Sequence, residues 1–172
     1  RYEDLLTRID SYGNQNFDLP TNFLCLGIEA AWLTGDFDKL QLWVDRVPVT
    51  KSVSSIYEFN VGKALIALSE SDYSMFHQHI KGAYKAIGSV LESSPATVVR
   101  ESYESIIRLH GLADLESIGS LDRERFASID EGAVTQKQLS KQLNERLEIL
   151  GSNYDAKRYL LALRRAAMKA SQ

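Results

Sequence analysis

The sequence predicts an all-α chain of antiparallel helix pairs, about eight helices in all. Three observations carry that prediction. Apolar residues recur at helical spacing along almost the whole chain, while the alternation of a half-buried strand is nearly absent. Only three prolines and ten glycines interrupt 172 residues. A helix–turn–helix unit also recurs after 36 residues, from Gly35 to Ser71.

The elements follow in order. A first helix is expected from Tyr2 to Tyr12, stopping before Gly13-Asn14. Pro20 opens the second at its first turn. Phe23, Leu24, Leu26, Ile28, Ala30, Ala31 and Leu33 cover nearly its whole circumference, so burial on most sides is expected. Gly35 ends that helix, and Asp36 caps a third from Phe37 to Val47, which Pro48 stops. Ser55 with Glu58 reads as a capping box for a fourth helix reaching Leu68, with the stripe Tyr57, Val61, Ala64, Leu65 and Leu68. Asp72 caps a fifth helix striped by Phe76, Ile80, Ala83, Ile87, Val90 and Leu91. Ser94-Pro95 starts a sixth, running to about Ile118. Residues 119–134, of mixed charge and weak periodicity, read as a linker. Thr135 with Gln138 suggests another capping box, before a helix carrying Leu139, Leu143, Leu147 and Leu150 that Gly151 closes. A last helix covers Tyr154 to Ala170. The expected division is a helical-repeat array over 1–118, a linker over 119–134, and a further helical pair of the same array over 135–172.

The repeat has a physical rationale. Gly35-Asp36-Phe37-Asp38-Lys39-Leu40 aligns with Ser71-Asp72-Tyr73-Ser74-Met75-Phe76, and Ala31 and Trp32 align with Ala67 and Leu68. The small residue lets the chain turn, the aspartate caps the second helix, and the aromatic fills the groove between the pair. A period near 34 residues marks tetratricopeptide-like pairs, each of which must stack on a neighbour to bury its apolar face. Trp32, Gly35, Asp36, Phe37, Asp72 and Tyr73 are therefore the structural repeat residues.

Composition narrows the function. An apolar fraction of 44% and a charged fraction of 25% suit a globular chain. A net charge of −3 and a pI near 5.7 do not point to nucleic acid. No apolar run approaches the roughly 20 residues of a membrane helix. Cys25, alone in an apolar stretch, can form no internal disulfide and fits a reducing, intracellular compartment. A start at Arg1 without a signal peptide reads as a piece of a longer protein.

No catalytic, cofactor-binding or metal-binding residue is expected. His77 and His79 project about 200° apart on a helix and cannot share an ion. They read as solvated. His110 follows Tyr103 and Ile106 on an apolar face and reads as a hydrogen-bonded core histidine. Cys25 has no nearby base. Trp32, Trp43, Phe37 and Tyr73 read as packing between helices rather than a ligand groove. In the last helix Lys157, Arg158, Arg164, Arg165 and Lys169 are expected to share one side, opposite Tyr159, Leu160, Leu163, Ala166 and Ala167. That basic side reads as a solvated face; its functional readings are contact with an acidic partner surface and, second, with nucleic acid.

A family resemblance then enters. Glu29-Ala-Ala-Trp-Leu-Thr-Gly-Asp-Phe-Asp-Lys-Leu40 resembles the "EAAW…WDLL" hairpin of the FAT region in ATR-type checkpoint kinases, a branch of the phosphatidylinositol-kinase-related protein kinases. Phe59-Asn-Val-Gly-Lys-Ala-Leu-Ile-Ala-Leu68 is similar to that family's next repeat. Ser102-Tyr-Glu-Ser-Ile-Ile-Arg-Leu-His-Gly-Leu-Ala-Asp-Leu-Glu116 is similar to its "Y…I.RLH.L.ELE" helix. The three occur in the family's order across about Thr21 to Ile118, and the divergent sequence between them points to a fungal member.

The resemblance implies an α-solenoid that braces the C-terminal kinase domain of a nuclear serine/threonine kinase of the DNA-damage and replication-stress checkpoint. It implies ATP and Mg for the parent kinase, none in this segment. It also implies protein partners: the parent's own kinase domain, an ATRIP-type subunit, and a homodimer of the complex. No membrane and no direct nucleic-acid contact are implied. Thr135-Gln136 and Ser171-Gln172 fit the family's substrate dipeptide, although Thr135 reads first as a cap. The alternative is a free-standing tetratricopeptide-like protein-binding adaptor. The apolar second helix, unsuited to an outer cap, counts against it. An all-helical enzyme would need clustered acids or histidines at helical spacing, and none faces a common point.

Overall fold

A computed structural model describes residues 4, 7, 8, 11, 20–48, 56–93, 99–127 and 132–172. Of the first expected helix, only Asp4, Thr7, Arg8 and Ser11 fall among them, all helical; the rest lies outside the described residues. The described residues hold seven further helices and no strand: α1 (Thr21–Thr34), α2 (Phe37–Asp45), α3 (Tyr57–Ser69), α4 (Tyr73–Ser93), α5 (Val99–Ala127), α6 (Gly132–Ile149) and α7 (Tyr154–Ala170). The chain is all-α, as predicted.

The internal repeat is reproduced bond for bond. Gly35 adopts φ +74° after α1, and Ser71 adopts φ +57° after α3. The Asp36 N–H donates to the Ala31 carbonyl at 3.0 Å, and 36 residues on the Asp72 N–H donates to Ala67 at 2.9 Å. Each aspartate then caps the next helix. Asp36 accepts from the Lys39 N–H and Asp72 from the Met75 N–H, both at 3.0 Å. These bonds satisfy carbonyls and amides that helix ends otherwise leave unpaired.

Close approach explains how the helices pack within and between pairs. Gly27 lies against the Trp43 ring, so close that an added Cβ would meet it at 2.6 Å. Gly62 holds α3 equally close to Ile28 of α1. Trp32, Trp43, Ile28, Leu40, Leu65, Leu68, Phe76 and Ile80 are fully buried in the resulting core. Helices α1 to α6 pack largely on their sequence neighbours, while α7 packs on α1, α3 and α5 together. It thus lies across the alternate helices of the array.

Several expectations need correction. Helix α1 is buried on all sides only over its second half, where Ala30 to Leu33 are all buried; on its first half Phe23 and Leu26 are 50% and 47% exposed. Val90 and Leu91 of α4 are likewise exposed. Pro20 holds the N-cap position rather than the first helical one. Ser55 lies outside the described residues, and Ile56 is the N-cap of α3 without a side-chain cap. Glu58 pairs with Arg108 at 2.8 Å. Ser94-Pro95 lies outside the described residues.

The expected linker is largely helical. Helix α5 continues through Gly119 to Ala127, and α6 begins at Gly132, which places Thr135 inside its first turns rather than at a cap. Gly119 does not break α5 because it serves packing: an added Cβ would meet the Phe76 ring at 2.6 Å. The Tyr73 hydroxyl donates to Asp122 at 2.8 Å and pins the same stretch to α4.

Candidate interaction face and the junctions that hold it

Three polar junctions set α7 in place. The first centres on Asp114 of α5, which is fully buried. Arg164 Nε donates to one carboxylate oxygen at 2.6 Å, and Arg146 donates to the other at 2.7 Å. Arg164 also donates to the Leu143 carbonyl at 2.6 Å. One carboxylate thereby joins α5, α6 and α7. A buried charge is tolerable only when paired and hydrogen-bonded in this way.

The second junction joins α1, α3, α5 and α7. The phenols of Tyr57 and Tyr159 share a hydrogen bond of 2.7 Å. Tyr159 meets Trp32 edge to face at 5.5 Å. The Arg108 guanidinium covers the Tyr57 ring at 4.8 Å while pairing with Glu58. Burial pushes both phenols above their ordinary range. Burial, aided by the charge of Glu58, also raises the Glu29 carboxyl, against the pull of Arg108.

The third junction fixes the C-terminal end of α7 to that of α1. Arg165 donates to the Leu33 carbonyl at 2.6 Å, and Lys169 donates to the Gly35 carbonyl at 2.7 Å. Both cations sit where the end of α1 leaves partial negative charge. Lys169 Nζ also stands over the Phe37 ring at 6.0 Å.

The five cations of α7 therefore do not form one solvated side. Arg164 is 5% exposed and belongs to the core junction, and Arg165 and Lys169 bend onto α1. The physical reason is register: Arg164 follows Leu160 by four and precedes Ala167 by three, which puts it on the buried face. Lys157 and Arg158 line a surface groove instead. That groove, of about 700 Å³, is floored by Leu33, Tyr159 and Ala162 and flanked by Tyr154 and Leu161. Asp155 and Arg165 complete its rim. Along the same outer stripe of α7, Tyr154, Leu161 and Met168 are 74%, 50% and 44% exposed.

The remaining candidates show little chemistry. His77 lies edge-on to Phe76 at 5.3 Å and lines a polar notch of about 480 Å³ between α4, α5 and α6. Burial, with the nearby Lys63, lowers the His79 imidazole. His110 is half-buried rather than in the core, because α5 turns that edge partly outward. Burial and Glu58 push the half-buried Cys25 thiol up to about 11, which leaves it unreactive. Among the described residues, no group of three or more histidines, cysteines or acids could hold a metal ion. No described helix is long and apolar enough to cross a membrane.

Trp32 and Trp43 are core residues, and Phe37 and Tyr73 pack against that core. Sequence reading missed Asp114, Arg146, Glu58 and Arg108 as junction residues. Asp114 had a visible signal, an acid set among the buried Gly111, Leu112, Leu115 and Ile118 of one helix.

Stacked helix pairs, matched capped turns and a helix laid across alternate members define a helical-repeat segment built from packing and internal ties. A family model described as the FAT domain matches residues 25–172, and the chain belongs to that family. Three relatives are named serine/threonine-protein kinase MEC1. The protein of Eremothecium gossypii is 25% identical over 96% of this chain, and that of Kluyveromyces lactis 27% over 95%. The protein of Candida glabrata is 24% identical over 84%. The chain spans only about 7% of the length of the first two and 6% of the third. No solved structure gives a significant match.

Proposed function

We propose that this chain is a non-catalytic bracing segment of a serine/threonine kinase of the DNA-damage and replication-stress checkpoint, acting in the nucleus. The observation that carries the reading is α7 tied across α1, α3 and α5 by three polar junctions. Such cross-ties resist sliding of one pair on the next, the property a brace needs. Residues 1–118 and 135–172 are read as parts of one array, joined through the long α5. The kinase chemistry, with its ATP and Mg, belongs to the parent chain outside this segment. The partners proposed are the parent's own kinase domain, an ATRIP-type subunit and a second copy of the complex. The relatives' kinase names and the FAT match support this reading. A free-standing adaptor is disfavoured because α7 covers the face of α1, α3 and α5 on which a peptide groove would lie.

The test is the complete reading frame. A kinase domain with catalytic-loop and metal-binding motifs downstream of Gln172, ending in a short FATC segment, is the expected outcome. A stop codon soon after Gln172 would overturn the proposal.

A further inference from the structure

We propose that the outer groove of α7 docks an amphipathic helix of a partner polypeptide, one whose acidic residues flank its apolar stripe. Three observations argue for that occupant. Tyr154, Leu161 and Met168 recur every seven residues and stay exposed, so they form one seam about 21 Å long. A straight apolar seam of this period fits a second helix lying alongside. The groove beside it has an apolar floor and a charged rim, the layout of a recognition surface. The rim is also positive. Lys157 and Arg165 outnumber Asp155 even before Arg158 is counted, on a chain whose net charge is −3.

The array's internal contacts include two kinds. Its helices approach most closely at glycines set against aromatic or branched side chains, as at Gly27 with Trp43 and Gly62 with Ile28. Where charge is buried it is matched by a carboxylate, as at Asp114. Arg165 gives one N–H to the Leu33 carbonyl and is otherwise exposed on the rim beside Lys157. A carboxylate brought by the partner helix meets it, and like-charged helices are rejected by the same rim.

This inference rests on the scaffold reading and names one partner for it. The experiment places a photo-reactive benzoylphenylalanine at Leu161 in the full-length parent protein, irradiates the assembled complex and sequences the cross-linked peptide. The expected product joins Leu161 to a helix-forming segment of another polypeptide, with acids three or four residues apart beside apolar positions. Lys157→Glu with Arg158→Glu is expected to cut the yield at least fivefold. Acid-to-lysine changes in the partner segment should then restore it. An unchanged thermal melt of the charge-reversed chain shows that the loss is not misfolding. No cross-link, a cross-link only to the parent's own helices, or a yield indifferent to charge reversal would each overturn the proposal. A parent without a kinase domain would instead sink the scaffold reading and leave the cross-linking result standing.

Discussion

Replacing Arg164 by leucine removes the most buried cation from the Asp114 junction. The carboxylate keeps Arg146 but loses its 2.6 Å bond from Arg164, and the Leu143 carbonyl loses a donor. Breaking a buried ion pair by deleting one partner costs on the order of 3–5 kcal/mol. The surviving Arg146 places this case at the lower end, about 3 kcal/mol. For a chain of this size each kcal/mol shifts the melting temperature by about 2–4 °C, so Tm should fall by about 6–12 °C. Asp114→Leu together with Arg164→Leu removes both buried charges. Arg146, part-exposed at 23%, can then turn to water. The double variant should melt within about 4 °C of the starting chain. Thermal melts followed by circular dichroism, with urea titrations to check the slope, measure both. A single variant that loses less than about 1 kcal/mol, or a double variant no better than the single, would refute the idea that Asp114 needs both arginines.

Other outcomes follow from the same geometry. Gly27→Ala drives a Cβ into the Trp43 ring and should cost about 1–3 kcal/mol. Gly88→Ala, within α4 and with nothing within 4 Å of the new methyl, should stabilise by about 0.5–1 kcal/mol, and urea melts of the pair separate the two. Ser71→Gly relieves a left-handed residue at φ +57° and should stabilise by about 1 kcal/mol, read as a raised Tm. Tyr73 and Tyr84 have phenols raised from 10.0 to about 12, chiefly by burial and then by Asp122 and Glu116 respectively. The folded state therefore holds these protons more tightly than the unfolded chain. Their contribution is complete below pH 10 and is lost as pH rises from 10 through about 12. Absorbance of tyrosinate should lag behind a denatured control over that window, with unfolding at its upper end. With its thiol raised from 9.0 to about 11, Cys25 holds about 100-fold less thiolate at neutral pH, and its alkylation by iodoacetamide should be about tenfold slower than that of a free thiol once the greater nucleophilicity of the thiolate is counted.

What the sequence disclosed was the local chemistry. The turns at Gly35-Asp36 and Ser71-Asp72 were legible because capping and left-handed geometry are decided within six residues. So were the end of α6 near Gly151 and the extent of α7. Long-range partners were not legible. Glu58 had the spacing of a capping box, while its partner Arg108 lies 50 residues away in another helix. Gly119 looked like a break because a ring brought from α4 cannot be seen in α5's own sequence. The five cations of α7 look like a single surface by residue type, but the register places Arg164 on the buried face. A charged residue at a core position was the clue, and its counter-charge at Asp114 lay in another helix.

The ties of α7 span most of the chain. Tyr159 meets Tyr57 across 102 residues, Arg165 meets Leu33 across 132, and Lys169 meets Gly35 across 134. During synthesis the apolar faces of α1, α3 and α5 must therefore wait for α7. From Thr34, where α1 ends, to Ala170 translation takes roughly 7–27 s at about 5–20 residues per second. For that interval the nascent chain offers an uncovered greasy surface to whatever is near the ribosome exit. The segment is then an assembly that closes only once α7 has emerged.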